Sequence, residues 1–152
     1  MKRRIFSRMF EKIRGENQEI YSLARLVPKK SRLAVPLYID DGETYKKSGH
    51  WKRLKFKQND EVVDSRDWTP MNFDGEILGN PKKWNIKIKQ KEINEIANFA
   101  KNNRYALENI GANLDYDFEE FLKILIPGGE PATQEQIEEQ KRKVDKLLEG
   151  GE

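Results

Sequence analysis

The fold is decided by residues 74–110, which read DGEILGNPKKWNIKIKQKEINEIANFAKNNRYALENI. Two glycines and an Asn–Pro pair near its start are typical of turns. Residues 84–89 alternate between apolar and polar side chains, which predicts a half-buried strand. From residue 90 onward the apolar residues recur with helical spacing. This spacing predicts an amphipathic helix that ends at Gly111.

Earlier segments of the chain have the patterns of further strands. Residues 20–27 are rich in apolar side chains, and residues 33–39 alternate cleanly. Pro36 cannot donate a ladder hydrogen bond, so it predicts an edge position or a bulge. Residues 51–57, WKRLKFK, alternate again. The segment 59–73 has no clear period and is expected to be irregular, with its aromatic and apolar residues filling the core.

Two more helices follow the central one. Residues 114–126 carry a second apolar stripe, which is stopped by Pro127 and two glycines. Thr133 and Gln136 have the spacing of a capping box and predict the start of a last helix. The apolar stripe of this last helix is thin, so it either packs lightly on the core or contacts another chain.

The predicted fold class is α+β, with a small antiparallel sheet over residues 18–89. The helices at 90–110 and 115–126 cover one face of it. The predicted division is a basic amphipathic helix at 1–15, an α+β domain at 16–130 and an acidic C-terminal helix at 131–152. The expected core residues are Leu33, Val35, Leu37, Leu54, Phe56, Ile86, Ile88, Ile93, Ile96, Phe121 and Leu125.

The composition limits the class of protein. The chain has 152 residues, 36% of them charged, and a mean hydropathy of −0.91. No apolar run approaches the roughly 20 residues that span a membrane, and we expect neither a membrane span nor a secretion signal. The chain has no cysteine, which excludes disulfides and thiolate metal sites.

Charge is distributed unevenly along the chain. The net charge is +10 for residues 1–57, −1 for residues 58–114 and −6 for residues 115–152. This asymmetry indicates a polyanionic partner for the front half, or head-to-tail contact between copies.

One predicted sheet face combines cations with an aromatic residue. If the strand at 51–57 lies beside the strand at 84–89, their outward side chains form one basic face. Cations bind phosphates and a tryptophan stacks on bases, so single-stranded nucleic acid is the sharper hypothesis. A solvated face whose lysines prevent edge-to-edge aggregation explains the same pattern. The residues of this candidate nucleic-acid site are Trp51, Arg53, Lys55, Lys57, Lys87 and Lys89.

Both termini carry amphipathic stripes that could contact a partner chain. The N-terminal stripe could instead cover the core, or its basic residues could meet nucleic acid or an anionic membrane surface. A protein partner or a homo-oligomer is expected, and nucleic acid is a further candidate partner. The candidate partner-binding residues are Ile5, Phe6, Met9, Phe10, Ile13, Ile137, Val144 and Leu148.

The sequence has little that suggests catalysis. His50 is the only histidine, which excludes a histidine-rich metal site and any mechanism with separate histidine acid and base. The pairs Asp40–Asp41 and Asp115–Asp117 could hold a hard cation, but turn and capping roles are commoner for such pairs. We therefore expect no catalytic residue, no metal and no cofactor.

The central stretch also resembles a known family. Glu76 and Leu78, Pro81–Lys82, and Asn103–Arg104 with Leu107 stand in places similar to the C-terminal half of a small bacterial family of unknown function, found in toxin-antitoxin-like gene pairs. The resemblance covers about residues 74–110. Short, charged and cysteine-free chains are also similar in character to proteins of phages and mobile elements.

Three functions follow as alternatives. We favour a non-enzymatic binding or assembly protein of a bacterial phage or mobile element, which contacts partner chains through its terminal helices. The second alternative is a nucleic-acid-binding protein that uses the basic sheet face. The third is a toxin-like ribonuclease around His50. The expected location is the cytoplasm of the bacterial host, with incorporation in a phage particle as the variant for an assembly protein.

Overall fold

The computed structural model describes residues 23–26, 31–40, 52–64, 67–109 and 118–149. Over these residues the protein has an α+β fold, as expected: a four-stranded antiparallel sheet is combined with five helices. The strands are β1 (Leu23–Leu26), β2 (Leu37–Asp40), β3 (Arg53–Phe56) and β4 (Thr69–Met71). The helices are α1 (Pro81–Trp84), α2 (Gln90–Asn102), α3 (Arg104–Asn109), α4 (Phe118–Ile124) and α5 (Gln134–Glu149).

The sheet is a meander in which each strand pairs with the next one along the chain, in the order β1-β2-β3-β4. Ile39 lies opposite Leu54, and Leu54 lies opposite Met71. All three side chains are buried and belong to one core cluster with residues of α2, α3, α4 and α5. One face of the sheet therefore packs against the helices. Strand β4 falls in the segment that was predicted to be irregular, and that prediction was wrong there.

The predicted strand at residues 84–89 is absent. Trp84 instead closes the helical turn α1, and residues 85–89 belong to no ladder. Asn80 accepts a hydrogen bond from the backbone of Lys82 (3.1 Å), and Pro81 follows at the first helical position. Both features favour a helical turn over a strand. The predicted alternation of burial does persist, because Ile86 and Ile88 are half-buried while Asn85, Lys87 and Lys89 are exposed.

Strand β2 is shorter than the alternating pattern that predicted it. Leu33, Val35, Leu37 and Ile39 are all buried as expected, but paired residues begin only at Leu37. Pro36 precedes the first paired residue, where its missing N–H costs no ladder hydrogen bond. Strand β2 lies between β1 and β3, so the expected edge position was wrong.

The central helix is broken at Asn103, where one continuous helix was predicted. Helix α2 ends at Asn102, Asn103 has φ −107° and ψ 14°, and α3 begins at the next residue. The fully buried side chain of Asn103 donates to the carbonyl of Phe99 (2.9 Å) and to that of Ile126 (2.9 Å). Asparagine side chains compete in this way with helix hydrogen bonds, and here the competition accompanies the break.

Two neighbouring asparagines of α2 hold the segment between α4 and α5. The side chain of Asn98 donates to Gly129 O (2.9 Å). Asn102 donates to Glu130 O (2.7 Å) and accepts from the backbone of Ala132 (2.9 Å). Helix α4 ends at Ile124, two residues earlier than predicted. The hydrogen bonds from Asn98 and Asn102 fix the direction in which the chain continues to α5.

The C-terminal helix begins with the predicted capping box. Thr133 Oγ1 accepts from the backbone of Gln136 (3.1 Å), and the Gln136 side chain accepts from the backbone of Thr133 (2.9 Å). Val144 is fully buried in the same core as the sheet, and Gln140 is also buried. Helix α5 is therefore part of the core packing.

Most of the expected core is observed. Ile86, Ile88, Ile93 and Leu125 are half-buried instead, because they lie in the exposed segment before α2, in its first turn and after α4. The fully or nearly buried members of the predicted set are Leu33, Val35, Leu37, Leu54, Phe56, Ile96 and Phe121.

Candidate functional site

A concentration of exposed positive charge runs from α1 to the first turn of α2. Residues 82–91 contain five lysines and no acidic residue. We call this stretch the lysine segment. All five side chains are exposed, at positions Lys82, Lys83, Lys87, Lys89 and Lys91.

Helix α1 presents the first two lysines. Asn80 caps this helical turn, and Asn85 ends it with φ +48°, a conformation that asparagine tolerates better than most residues. The Trp84 indole Nε1–H donates to the carbonyl of Leu78 (3.2 Å). This hydrogen bond joins the end of the helical turn to the chain that precedes it. Lys82 and Lys83 therefore lie on a turn that is held at its start by the Asn80 cap and at its end by Trp84.

The next part of the segment is anchored to the end of β3. The backbone N–H of Lys87 donates to Gln58 O (3.0 Å), and the Asn59 side chain donates to Asn85 O (3.1 Å). The half-buried Ile86 and Ile88 alternate with Lys87 and Lys89. The two lysines are therefore directed to the same, exposed side of an anchored extended segment.

One lysine of the segment forms an ion pair within the described residues. Lys87 Nζ lies 3.2 Å from Glu61 Oε1, and both side chains are largely exposed. Such surface pairs contribute little to stability, typically about 0–1 kcal/mol. A phosphate could therefore replace Glu61 as the partner of Lys87 at small cost.

Acidic side chains border the segment but do not interrupt it. Glu92 accepts a hydrogen bond from the backbone N–H of Lys89 (3.3 Å) and so caps the first turn of α2. A carboxylate at a helix N-terminus is favourable because it meets the positive end of the helix dipole. Asp60 and Glu61 lie on the loop next to Lys87. The lysine segment thus has a defined acidic boundary on two sides.

The predicted basic face of the sheet is not observed as one exposed surface. Lys55 is only 1% exposed, and in register it lies between Tyr38 and Pro70 on the face opposite the helices. The ring of Tyr38, its partner in register, packs edge to face with the ring of Trp68, with centroids 4.5 Å apart. A lysine in the middle of a covered face has no access to a ligand, so its assignment to the exposed site was wrong.

The other predicted nucleic-acid residues have separate environments. Arg53 and Lys57 are half-buried, whereas Lys87 and Lys89 are exposed and lie in the lysine segment. Trp51 lies outside the described residues. The predicted pairing of residues 84–89 with residues 51–57 as strands is not observed; Lys87 is held next to β3 by the backbone hydrogen bond to Gln58.

The predicted partner-binding stripe of α5 is largely used inside the protein. Val144 is fully buried, and Leu148 is packed against the core. Ile137 is half-buried. Because a buried side chain cannot also form a docking surface, the assignment of Val144 to partner contact was wrong. The N-terminal members of the predicted set, Ile5, Phe6, Met9, Phe10 and Ile13, lie outside the described residues.

A groove of about 410 Å³ lies between the end of α4 and the first half of α5. Ile124, Leu125 and Pro127 line one side of it. The other side carries charges of both signs, including Glu139 and Arg142, which pair with each other. This ion pair lowers the pKa of Glu139 below its ordinary value, chiefly through the hydrogen bond from Arg142.

The residues considered for catalysis or metal binding lie mostly outside the described part of the chain. This holds for His50, Asp41, Asp115 and Asp117. Among the residues that are described, no three potential His, Cys, Asp or Glu ligands cluster as a metal site would require. None of the described helices is long and apolar enough to cross a membrane.

Sequence reasoning missed three of the five exposed lysines: Lys82, Lys83 and Lys91. It placed residues 84–89 on a strand and therefore considered only side chains on one strand face. The signal was present in a simpler form, as five lysines within ten residues without an acid. A count of local charge finds the segment without any assumption about secondary structure.

No protein-family model, curated protein or solved structure matches this chain. The resemblance of residues 74–110 to a toxin-antitoxin-like bacterial family stays a prediction.

Proposed function

We propose that the protein binds nucleic acid and contacts the phosphate backbone with its lysine segment. The observation that carries this proposal is the exposure of all five lysines in residues 82–91. Lysine side chains that neutralise phosphates release the counterions condensed on the nucleic acid, which supplies a sequence-independent binding free energy. The proposal keeps the nucleic-acid alternative drawn from the sequence but moves its site from the sheet face to the lysine segment.

The local structure supports this role. The segment is anchored by hydrogen bonds at Trp84 and Lys87, so ordering its backbone on binding costs little conformational entropy. Of the five lysines of the segment, only Lys87 forms an ion pair with a described residue, and that pair is exposed. The remaining ammonium groups need not break an ion pair with a described residue before they contact a phosphate.

Assembly through the C-terminal helix has less support. Apolar residues of its stripe pack inside the protein, since Val144 is fully buried and Leu148 lies against the core. The exposed surface of α5 is mainly charged, with residues of both signs. A contact made by the N-terminal stripe stays a prediction.

The test compares two triple variants that remove the same number of charges. One carries Lys82→Gln, Lys83→Gln and Lys89→Gln in the lysine segment. The control carries Lys101→Gln, Lys143→Gln and Lys146→Gln, which are also exposed positions, on α2 and α5. Binding to a fluorescein-labelled duplex is measured by anisotropy at about 0.1 M salt, where each lost phosphate contact weakens binding by about eightfold.

The segment variant loses three contacts of about eightfold each and is therefore expected to bind roughly 500-fold more weakly than the wild type if all three lysines contact phosphates. The control variant is expected to bind nearly as well as the wild type. Equal weakening of the two variants would show that only net charge matters and would refute the lysine segment as the site.

A further inference from the structure

Trp84 is the aromatic residue of the lysine segment, but its ring is already engaged. Its Nε1–H donates to Leu78 O at 3.2 Å. The backbone of Gly79 lies close to the indole, so that a Cβ at Gly79 would be 3.8 Å from two indole atoms. The ring is thus held against residues 78–79 and is half-buried.

A cation also occupies the space over this ring. Lys83 Nζ lies over the Trp84 ring, 4.8 Å from its centroid. This distance is typical of a cation–π contact. A nucleobase could stack on that face only after the ammonium group had been displaced.

The other described tryptophan and tyrosine rings have intramolecular contacts too. Trp68 and Tyr38 pack edge to face, with an interplanar angle of 72°. Tyr105 donates its hydroxyl to Asp145 (2.5 Å) and lies under Lys141. Proteins that select single strands offer open aromatic platforms beside a basic groove. The described surface of this protein presents cations, while its Trp and Tyr rings are engaged in contacts of their own.

We infer that binding by the lysine segment depends on the charge density of the phosphate backbone and not on contacts with bases. The segment therefore binds double-stranded nucleic acid more tightly than a single strand. This inference rests on the proposed function. Duplex DNA carries one charge per about 1.7 Å of helix axis, twice the density of one of its strands. A site made only of ammonium groups therefore gains more from the duplex, whereas a stacking site gains more from unpaired bases.

The test uses three unlabelled competitors of equal length in nucleotides per strand: a mixed-sequence duplex, oligo-dT, and a single strand of abasic sugar-phosphate units. Each displaces a labelled duplex from the full-length protein at fixed salt. We expect the duplex to compete best, and oligo-dT and the abasic strand to have affinities within about threefold of each other, because stacking of even one base would separate them by about 5- to 150-fold.

Two results would overturn the inference. Oligo-dT that competes better than the duplex would show that unpaired bases are preferred. Oligo-dT that competes at least about fivefold better than the abasic strand would show that a base stacks on the protein. A different result would refute the proposed function itself. In that case no competitor, including the duplex, would bind in a manner that depends on Lys82, Lys83 and Lys89.

Discussion

The side chain of Asn103 makes a reciprocal pair of hydrogen bonds with the backbone of Ile126. Its Nδ2 donates to Ile126 O at 2.9 Å, and its Oδ1 accepts from Ile126 N–H at 2.7 Å. The same Oδ1 accepts from Gln140 Nε2 at 2.8 Å. Asn103 therefore joins three parts of the fold: the break between α2 and α3, the end of α4, and α5.

Replacement of Asn103 by Ala is expected to destabilise the protein by about 2–4 kcal/mol. It leaves the buried N–H and C=O of Ile126 without the hydrogen bonds that Asn103 makes, and it removes one of the two acceptors of Gln140 Nε2. The free energy of unfolding is measured by urea denaturation. The control is Asn94→Ala, an exposed position on the same helical region, which is expected to change stability by less than about 0.5 kcal/mol. Similar losses for the two variants would contradict the role assigned to Asn103.

The capping box of α5 gives a second prediction. Thr133→Ala removes the hydroxyl that accepts from the backbone of Gln136, and a lost N-cap typically costs about 1 kcal/mol. Thr133→Ser keeps the hydroxyl and is expected to retain most of the stability. Thermal unfolding of both variants checks the prediction, which fails if Ser and Ala at this position behave alike.

The contact between Tyr105 and Asp145 predicts a dependence on alkaline pH. The hydrogen bond to Asp145, together with burial and the carboxylate charge, raises the pKa of Tyr105 above its ordinary value. A raised pKa in the folded state means that the contact stabilises the protein below the ordinary tyrosine pKa of about 10. This contribution is lost as the pH rises through the higher pKa of the folded state.

Asp145→Ala is therefore expected to lower the pKa of Tyr105, as followed by the NMR chemical shift of its ring. Wild-type protein should lose its stability advantage over this variant only under alkaline conditions. An unchanged pKa of Tyr105 in the variant would show that Asp145 does not interact with the phenol in solution.

Substitutions of Lys55 and Lys89 distinguish two candidate surfaces for nucleic-acid contact, the sheet face and the lysine segment. Lys55 is 1% exposed and Lys89 is exposed. Lys89→Met removes one phosphate contact and is expected to reduce the slope of log K against log salt concentration for duplex binding by about 1. The change of Lys55 to Met is expected to leave it unaltered, with any effect confined to stability. A reduced salt dependence for Lys55→Met would return the sheet face to consideration.

The sequence patterns predicted burial better than hydrogen bonding. At residues 85–89 the alternation of apolar and polar side chains correctly predicts which of them face solvent. It does not predict whether a neighbouring strand is present, because period-2 burial needs only an extended chain against a core. Asn80 and Pro81 carried the local signal for a helical turn, and this signal had more influence than the apolar alternation of the residues that follow.

The misplaced residues share a physical cause. Lys55 was assigned to the outward face because it alternates with Leu54 and Phe56 along the strand. A pattern along one strand does not show what covers the opposite face of the sheet. The break at Asn103 likewise depends on Ile126 and Gln140, which are distant in sequence. Contacts of this kind arise from tertiary structure and have no periodic signature in the chain.

The role of the lysine segment is tested by the salt dependence of duplex binding, measured for the wild-type protein and for the variant with Lys82→Gln, Lys83→Gln and Lys89→Gln. If each of the five lysines neutralises one phosphate, the slope of log K against log salt concentration is about −4.5 for the wild type and about −1.8 for the variant. Such a change of slope is the result that we predict. An unchanged slope, or no binding of duplex by the wild type at low salt, would contradict the assignment of the lysine segment as a nucleic-acid site.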